Sequence, residues 1–192
     1  MVLRVKIIVM CFMLFLVCTS IAQEDLYSMV RNRVEVEKVE MFLEKYPDSL
    51  NQPSKEGYTA LILAAYNGNY ELVELFIKRG VEVNYVSKMG TALMASIVNS
   101  NTEIAELLLK NKASVDLTDD SGITALMYAV QFKISSLVEL LLQYNPDKNK
   151  MDNTGKTAFE YAILSGNQEI IQLLNKYYER KITLIVDTNI KY

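Results

Sequence analysis

The sequence contains no histidine and no tryptophan, and its two cysteines, Cys11 and Cys18, both lie in the first 22 residues. Histidine and cysteine supply most general bases, thiolate nucleophiles and soft-metal ligands in proteins. If the first 22 residues are removed on export, the remaining chain can have no such site and no disulfide bond. An enzyme built on this chain would need Ser/Lys or carboxylate chemistry.

A concentration of positive charge is also missing. The chain of 192 residues has a formal net charge of −3, and without its first 22 residues it has 18 basic and 23 acidic side chains, a net charge of −5. A general nucleic-acid binder needs clustered Lys and Arg to displace counterions from phosphates. The composition therefore predicts no nucleic-acid partner.

Residues 1–22 have the pattern of an export signal. Arg4 and Lys6 precede an apolar run at residues 7–17, and Ser20 and Ala22 give the small-x-small form of a signal-peptidase site. We predict cleavage before Gln23 and a mature protein without stable membrane insertion. An uncleaved anchor is the alternative, but the 16 residues from 7 to 22 are fewer than the roughly 20 that span a bilayer.

Lipidation at Cys18 is a third interpretation, disfavoured because bulky Val17 precedes the cysteine where such sites have a small residue. The chain has no Asn-x-Ser/Thr sequon and is rich in Lys, Asn, Ile and Tyr. Together with the absence of disulfides in the mature chain, this composition favours a bacterial envelope compartment, the periplasm, over a eukaryotic secretory one.

A sequence pattern recurs along the rest of the chain. Aligned threonines are spaced by 32, 33 and 33 residues, and an apolar residue follows each of them two positions later. The threonines are Thr59, Thr91, Thr124 and Thr157, and the apolar residues are Leu61, Leu93, Leu126 and Phe159. Because the apolar positions repeat in register, each unit is predicted to bury the same face.

The copy at residues 56–84 carries the pattern most fully. It has a Gly-x-Thr-Ala-Leu opening, the small pair Ala64 and Ala65, a Leu-Val-x-Leu-Phe block and a closing Gly-x-x-Val-Asn. This stretch resembles an ankyrin repeat. The resemblance implies an all-α fold, an ankyrin-repeat solenoid of stacked helix-turn-helix units with short connecting hairpin fingers.

The repeat register predicts the domain organisation. A degenerate amino-terminal cap unit at about 25–51 is followed by repeats at about 52–84, 85–116, 117–149 and 150–178, so that the repeat domain spans 23–178. A cap is expected because the end units of a repeat array must present a polar outer side. Residues 179–192 form a tail, whose apolar run at 182–186 is expected to dock on the last repeat in an extended form or to remain a free terminus.

Several local features follow from residue type. The repeat threonines are predicted to cap the first helices, with Thr157 and Glu160 forming a capping box. Ser100 and Lys133 replace the glycine that the family commonly has between its two helices, so local strain is expected there. Asn84, Asp116 and Asn149 end their units and are expected to hold turns by bonding nearby backbone.

No stretch of the sequence indicates catalysis, a metal site or a cofactor. The adjacent pair Asp119 and Asp120 is interpreted as part of an exposed, solvated finger. Residues 147–155 come nearest to a calcium loop but lack the required glycine and the closing glutamate.

In proteins that this chain resembles, partners are held by the finger tips and by the exposed side of the first helices, which line a concave face. Carried onto this sequence, the resemblance predicts a binding surface of Tyr58, Tyr66, Asn67, Met89, Val98, Asn99, Asp120, Ile123, Gln131, Phe132, Lys156 and Leu164. Tyr58, Tyr66 and Phe132 are expected to form an aromatic stripe, since large exposed aromatic groups supply interface hot spots. The alternative for each residue is that it merely covers neighbouring backbone.

The leading functional hypothesis is an exported, monomeric binding module without catalysis that holds or shields a protein partner. An inhibitor or immunity protein that blocks an enzyme or toxin is the alternative, and a Ser/Lys hydrolase is the third. Affinity capture identifies the partner, a co-encoded toxin gene would favour the second hypothesis, and turnover of esters would favour the third.

Overall fold

A computed structural model describes the backbone of residues 26–189 and the side chains of residues 26–179. The predicted signal peptide, its cleavage site and Cys18 lie outside the described residues. Within the described part of the chain the regular structure is helical, apart from isolated bridges between Ser87 and Gly90 and between Thr118 and Thr124. None of the helices described there is both long enough and apolar enough to cross a membrane.

The helices follow one another in pairs. They are α1 (residues 26–31), α2 (Val36–Lys45), a 3-10 helix (Pro47–Asn51), α3 (Ala60–Tyr66), α4 (Tyr70–Lys78), α5 (Ala92–Val98), α6 (Thr102–Lys110), α7 (Ala125–Gln131), α8 (Ser135–Leu142), α9 (Ala158–Ser165) and α10 (Gln168–Asn189). We call α3, α5, α7 and α9 the inner helices and α4, α6, α8 and α10 the outer helices. The predicted all-α class is confirmed.

Each inner helix begins directly after one of the aligned threonines. The four Thr Oγ1 atoms accept a hydrogen bond from the backbone N–H three residues later, over 3.2 to 3.4 Å. The capping box predicted at Thr157 is also present, because the Glu160 carboxylate accepts from the Thr157 N–H at 2.7 Å. The predicted register of the repeats is therefore confirmed at the level of the helix starts.

Asparagines cap three of the outer helices in the same way. Asn69, Asn101 and Asn167 accept from the N–H groups three residues later at 3.0 to 3.2 Å. The helix α8 is the exception, since Ile134 stands at its cap position and has no side-chain acceptor. Its first turn therefore lacks the side-chain capping bond that the other three outer helices make.

The chain divides between Glu82 and Val83 into two compact units. In the first unit, α4 packs against α2 and α3, and α2 also packs against the 3-10 helix. The hydroxyl of Tyr27, a buried residue, donates to the carbonyl oxygens of Gln52 and Tyr58, at 2.6 and 2.7 Å. These bonds fix α1 to the segment that leads into α3.

The second unit contains two layers of helices. The inner helices α5, α7 and α9 pack side by side, and the outer helices α6, α8 and α10 pack in the same order. The apolar residues seventeen positions after each threonine, Leu108, Leu141 and Leu174, are completely buried. The repeating apolar positions thus form one continuous core between the layers of this unit.

Asparagine and aspartate side chains tie successive repeats together. In the second unit, Asn84 donates to the Lys112 carbonyl at 3.0 Å and accepts from the Ser114 N–H at 2.7 Å, while Asp116 accepts from the Asp147 N–H at 2.8 Å. For Asn84 and Asp116 the expectation of bonds to nearby backbone is wrong, because their partners lie about one repeat further along the chain. They stabilise contacts between repeats rather than single turns.

The turns within the repeats contain strained residues. Ser100 and Lys133 have φ angles of 54° and 59°, close to those of Gly68 and Gly166 (69° and 65°) at the same position of other repeats, so the strain expected there is confirmed. Lys112 and Asn145, which follow the outer helices, have φ angles of 66° and 53° and were not anticipated. Side chains with a Cβ disfavour this left-handed region by roughly 1 kcal/mol or more.

Replacement of Lys133 by glycine should therefore increase the free energy of unfolding by roughly 0.5 to 1 kcal/mol, despite the greater entropy of an unfolded chain containing glycine. The control is Lys110→Gly. Lys110 is also exposed but lies in the last turn of α6, where glycine should cost about 1 kcal/mol. Urea denaturation measures both changes, and a loss of stability in Lys133→Gly would contradict the strain at this turn.

The last helix differs most from the sequence prediction. The helix α10 runs from Gln168 to Asn189, so residues 182–186 are helical, and the expectation of an extended tail segment is wrong. Its 22 residues compare with 9, 9 and 8 in the preceding outer helices. No Gly or Pro occurs between Gln168 and Asn189, so the two strongest helix-breaking residue types are absent from this stretch.

Candidate functional site

A short hairpin leads into each inner helix and forms the finger of that repeat. In each finger a backbone N–H bonds to the carbonyl of the residue just before the threonine, over 2.7 to 3.1 Å. The pairs are Ser54 and Tyr58, Ser87 and Gly90, Asp119 and Ile123, and Asp152 and Lys156. The second finger is one residue shorter than the others, so its bond joins residues three positions apart instead of four.

Asp119 stabilises the third finger from within. Its Oδ1 accepts from the N–H groups of Ser121 and Ile123 at 2.8 and 2.9 Å, and its Oδ2 accepts from the Tyr128 hydroxyl at 2.7 Å. The expectation that Asp119 is exposed in a solvated turn is wrong, because its side chain is buried. Asp120, in contrast, is exposed as predicted.

Asp152 has the same role in the fourth finger. Its Oδ1 accepts from the N–H groups of Thr154 and Lys156 at 2.8 and 2.9 Å, and its Oδ2 accepts from the Tyr161 hydroxyl. The bond from Tyr161, followed by the backbone bonds, holds the pKa of the Asp152 carboxyl well below its usual range. Burial and the bond to Asp119 raise the pKa of Tyr128 to about 12.

These Asp–Tyr pairs have a signal in the sequence. An aspartate five residues before the threonine and a tyrosine four residues after it occur together in the third and fourth repeats. In the first two repeats a serine replaces the aspartate, and Leu63 and Ala95 stand where the tyrosine would be. Comparison of the repeats with one another identifies the pair, whereas inspection of Asp119 and Asp120 alone does not.

Asp152→Asn should make the protein less stable at neutral pH and flatten the acid side of its stability profile. A carboxyl whose pKa is lowered by folding stabilises the protein above its unfolded pKa of about 4, and this contribution is lost as the pH falls toward the lower folded value. The sequence contains no histidine, so histidine makes no contribution between pH 5 and 8. Denaturant unfolding from pH 7 to pH 2 measures the effect.

The control for that experiment is Asp120→Asn, which removes the charge of an exposed carboxylate. It shows how the loss of one negative charge alone changes the free energy of unfolding. An acid profile of Asp152→Asn that parallels the wild type would mean that the carboxylate bonds of the fourth finger do not support folding.

Adjacent fingers of the second unit are also bonded to each other. The Asp120 N–H donates to the Lys88 carbonyl at 3.3 Å, and the Asn153 N–H donates to the Ser121 carbonyl at 2.9 Å. The Asn153 side chain adds a bond to the Asp120 carbonyl at 2.9 Å. The three fingers of this unit therefore form a connected row.

The predicted binding residues of the first unit lie at the two ends of α3. Tyr66 is 54 % exposed at the carboxyl end of the helix. Asn67 follows it, is half-buried, and bonds through its backbone carbonyl and its side chain to α1 and its turn, at Arg33 and Val30. Tyr58 is half-buried just before the helix.

In the second unit, the most exposed apolar residues of the predicted surface lie at the carboxyl ends of the inner helices and on one finger. Val98 is 40 %, Phe132 48 %, Leu164 70 % and Met89 69 % exposed. The Phe132 ring stacks on Tyr128, with ring centroids 6.0 Å apart and planes 9° from parallel. The Asp119 bond that holds Tyr128 therefore also supports the position of Phe132.

The remaining predicted residues are placed less uniformly. Asn99 and Asp120 are exposed, whereas Ile123, Gln131 and Lys156 are half-buried. The Nε2 atom of Gln131 is buried without a hydrogen-bond partner, and the Lys156 Nζ donates to the Thr154 hydroxyl at 2.8 Å. Gln131 and Ile123 therefore contribute less exposed surface than the sequence pattern suggested.

One shallow depression adjoins this surface. It has a volume of about 270 Å³ and is lined by Lys156, Glu160, Ile163 and Leu164 of the fourth repeat. No group of three or more His, Cys, Asp or Glu side chains in the described part of the chain could hold a metal ion.

The model of the family described as "Ankyrin repeats (3 copies)" matches residues 26–119 and 99–184. The chain belongs to the ankyrin-repeat family. Its helix pairs, threonine caps and finger hairpins agree with the resemblance identified in the sequence. Ankyrin repeats generally mediate protein–protein binding and are typically non-catalytic.

Curated proteins match shorter parts of this ankyrin-repeat chain. Alpha-latrotoxin-Lg1a of Latrodectus geometricus is 49 % identical over 43 residues, which are 22 % of this chain and 3 % of the toxin. Ankyrin repeat and SAM domain-containing protein 6 of Rattus norvegicus is 38 % identical over 52 residues, 27 % of this chain and 6 % of that protein. The chain thus matches only a small part of each relative.

Proposed function

We propose that this ankyrin-repeat protein is an exported, non-catalytic binding module that holds or shields a protein partner in the bacterial envelope. The observation that supports the proposal best is the set of exposed apolar side chains Val98, Phe132 and Leu164 at the ends of three adjacent inner helices. Exposed apolar residues grouped in this way are typical of protein-binding surfaces.

These three side chains are not needed for the core of the second unit. They follow their threonines by seven or eight positions, after the buried residues Ile97, Val130 and Ala162. A side chain that contributes little to folding but exposes apolar area is available to bury that area against a partner.

The fingers supply a polar rim that is already ordered. The carboxylates of Asp119 and Asp152 fix the third and fourth fingers from within. A backbone hydrogen bond links these two fingers to each other. Because this rim is already ordered, less conformational entropy is lost when a partner binds. The exposed side chains of the fingers include Met89 and Asp120.

The double variant Phe132→Ala and Leu164→Ala should bind the partner roughly thirtyfold more weakly, which corresponds to about 2 kcal/mol for hot-spot residues. Affinity capture from envelope extract followed by mass spectrometry identifies the partner, and calorimetry with that purified partner then gives the affinities. The thermal unfolding of the variant should resemble that of the wild type, since both side chains are substantially exposed.

The matched control is Glu106→Ala with Glu139→Ala, which alters the outer helices α6 and α8 and should leave the affinity unchanged. Normal binding by the Phe132 and Leu164 variant would move recognition to another surface. Capture of an enzyme or toxin that is inactivated on binding would support the inhibitor or immunity alternative.

Export has its own test. Amino-terminal sequencing of the protein from an envelope fraction should begin at Gln23. A protein that still begins at Met1 and is extracted only by detergent would contradict the exported, soluble form and would support the uncleaved anchor.

A further inference from the structure

The end of the row of inner helices in the second unit leaves an apolar side chain uncovered. Ile97 and Val130 stand six residues after their threonines and are completely buried. Ile163 stands at the same position of the fourth repeat and is 55 % exposed. The difference arises because α7 packs on α5 and α9 packs on α7, whereas no inner helix follows α9 in the described part of the chain.

This end face is only partly adapted to water. Glu160 and Asn175 are exposed at the positions where the preceding repeat has the buried residues Met127 and Leu142. Such polar replacements are expected on the outer side of a terminal repeat. Ile163 and its neighbour Leu164 do not follow that pattern, and they leave an apolar centre beside the polar positions.

The 270 Å³ depression joins this apolar centre to two side chains of opposite charge. Lys156 lies on one part of the rim, where its Nζ bonds to the Thr154 hydroxyl. Glu160 lies on another part, where its carboxylate bonds to the Thr157 N–H and hydroxyl. Both charged groups are therefore held in place, and their charges sum to zero within the patch.

We propose that this surface, formed by Lys156, Glu160, Ile163 and Leu164, binds the same surface of a second copy of the chain about a two-fold axis. A two-fold contact is self-complementary, so a patch with one cation and one anion can place each Lys156 against the partner's Glu160 while the apolar side chains meet. A patch of this kind neither repels its copy nor leaves a charge unpaired.

The contact is weak and reversible. Stable interfaces use about 20 to 30 residues on each side, whereas this surface offers two exposed apolar side chains and one pair of charges. On this proposal the protein is a monomer at low concentration and forms dimers as the concentration rises. Because Lys156 and Leu164 also belong to the predicted partner surface, dimerisation and partner binding compete.

Sedimentation equilibrium of the purified chain over a wide concentration range tests the inference without any partner. The wild type should shift from monomer to dimer, and Ile163→Glu should weaken the association more than tenfold. Lys156→Glu alone should also weaken it, whereas Lys156→Glu combined with Glu160→Lys should restore it to within about threefold of the wild type, since the charge pair is then reversed. Met151→Glu, at another exposed apolar position (60 % exposed), is the control and should dimerise normally.

Three results would overturn the inference: a wild type that stays monomeric up to its solubility limit, an Ile163→Glu variant that dimerises like the wild type, or assembly into open chains instead of dimers. Thermal unfolding checks that each variant is folded. Should Glu160→Lys unfold the protein by removing the capping bond to Thr157, Ile163→Glu and Lys156→Glu still decide the matter, because neither removes a capping bond.

Discussion

Leu141→Ala should lower the free energy of unfolding by about 2 to 5 kcal/mol. Leu141 is completely buried in α8, which packs against α6, α7 and α10. Truncation removes apolar contacts and leaves a cavity that three neighbouring helices cannot all close at once. The loss is therefore expected in the upper half of this range.

Urea denaturation followed by circular dichroism gives the difference directly. Leu164→Ala is the matched control, because it makes the same chemical change on α9 at a side chain that is 70 % exposed and should cost less than about 0.5 kcal/mol. Similar losses in the two variants would mean that the core and the exposed face have been assigned to the wrong sides of the repeat.

The repeat core could be predicted because it depends on positions that recur. Once the threonines were aligned, the residues seventeen positions later fell on Leu108, Leu141 and Leu174, and all three are completely buried. Each threonine also caps a helix. Short-range bonds and a repeated apolar position are properties of the sequence itself, so the fold could be inferred without knowledge of the tertiary contacts.

The contacts of the aspartates and asparagines could not be predicted in this way. Asp119 resembles any solvated turn residue until Tyr128, nine residues later, is brought against it by the start of α7. Asn84 reaches Ser114 in the next repeat. Both contacts depend on how one segment is placed against another, which residue type alone does not determine.

The candidate site was predicted only in part for the same reason. Val98, Phe132 and Leu164 are exposed, as the resemblance implied. The partial burial of Gln131 and Ile123 is a property of the folded chain that residue type alone does not determine. The exposure of Ile163 depends on the lack of a following inner helix in the described chain. The binding role of all these residues remains a prediction.

Gly122→Ala should destabilise the protein by roughly 2 to 4 kcal/mol, considerably more than the equivalent change one repeat later. Gly122 has a φ angle of 77°, and a Cβ placed there would lie 3.0 Å from the backbone nitrogen of Asn153 and 3.0 Å from the Cα of Asp152. Glycine is needed at this position both for the turn and for the close approach of the fourth finger. An alanine would push that finger away and weaken the bond from the Asn153 N–H to the Ser121 carbonyl.

Gly155→Ala separates the two effects. Gly155 has a φ angle of 80°, yet an added Cβ would meet nothing within 4 Å, so only the cost of the left-handed backbone, about 1 kcal/mol, should be measured. The difference between the two variants then reports the contact between adjacent fingers, and hydrogen exchange of the Asn153 amide should be faster in Gly122→Ala alone. Equal losses of stability, with the Asn153 amide equally protected in both, would show that the fingers of the second unit are not stabilised by packing against each other.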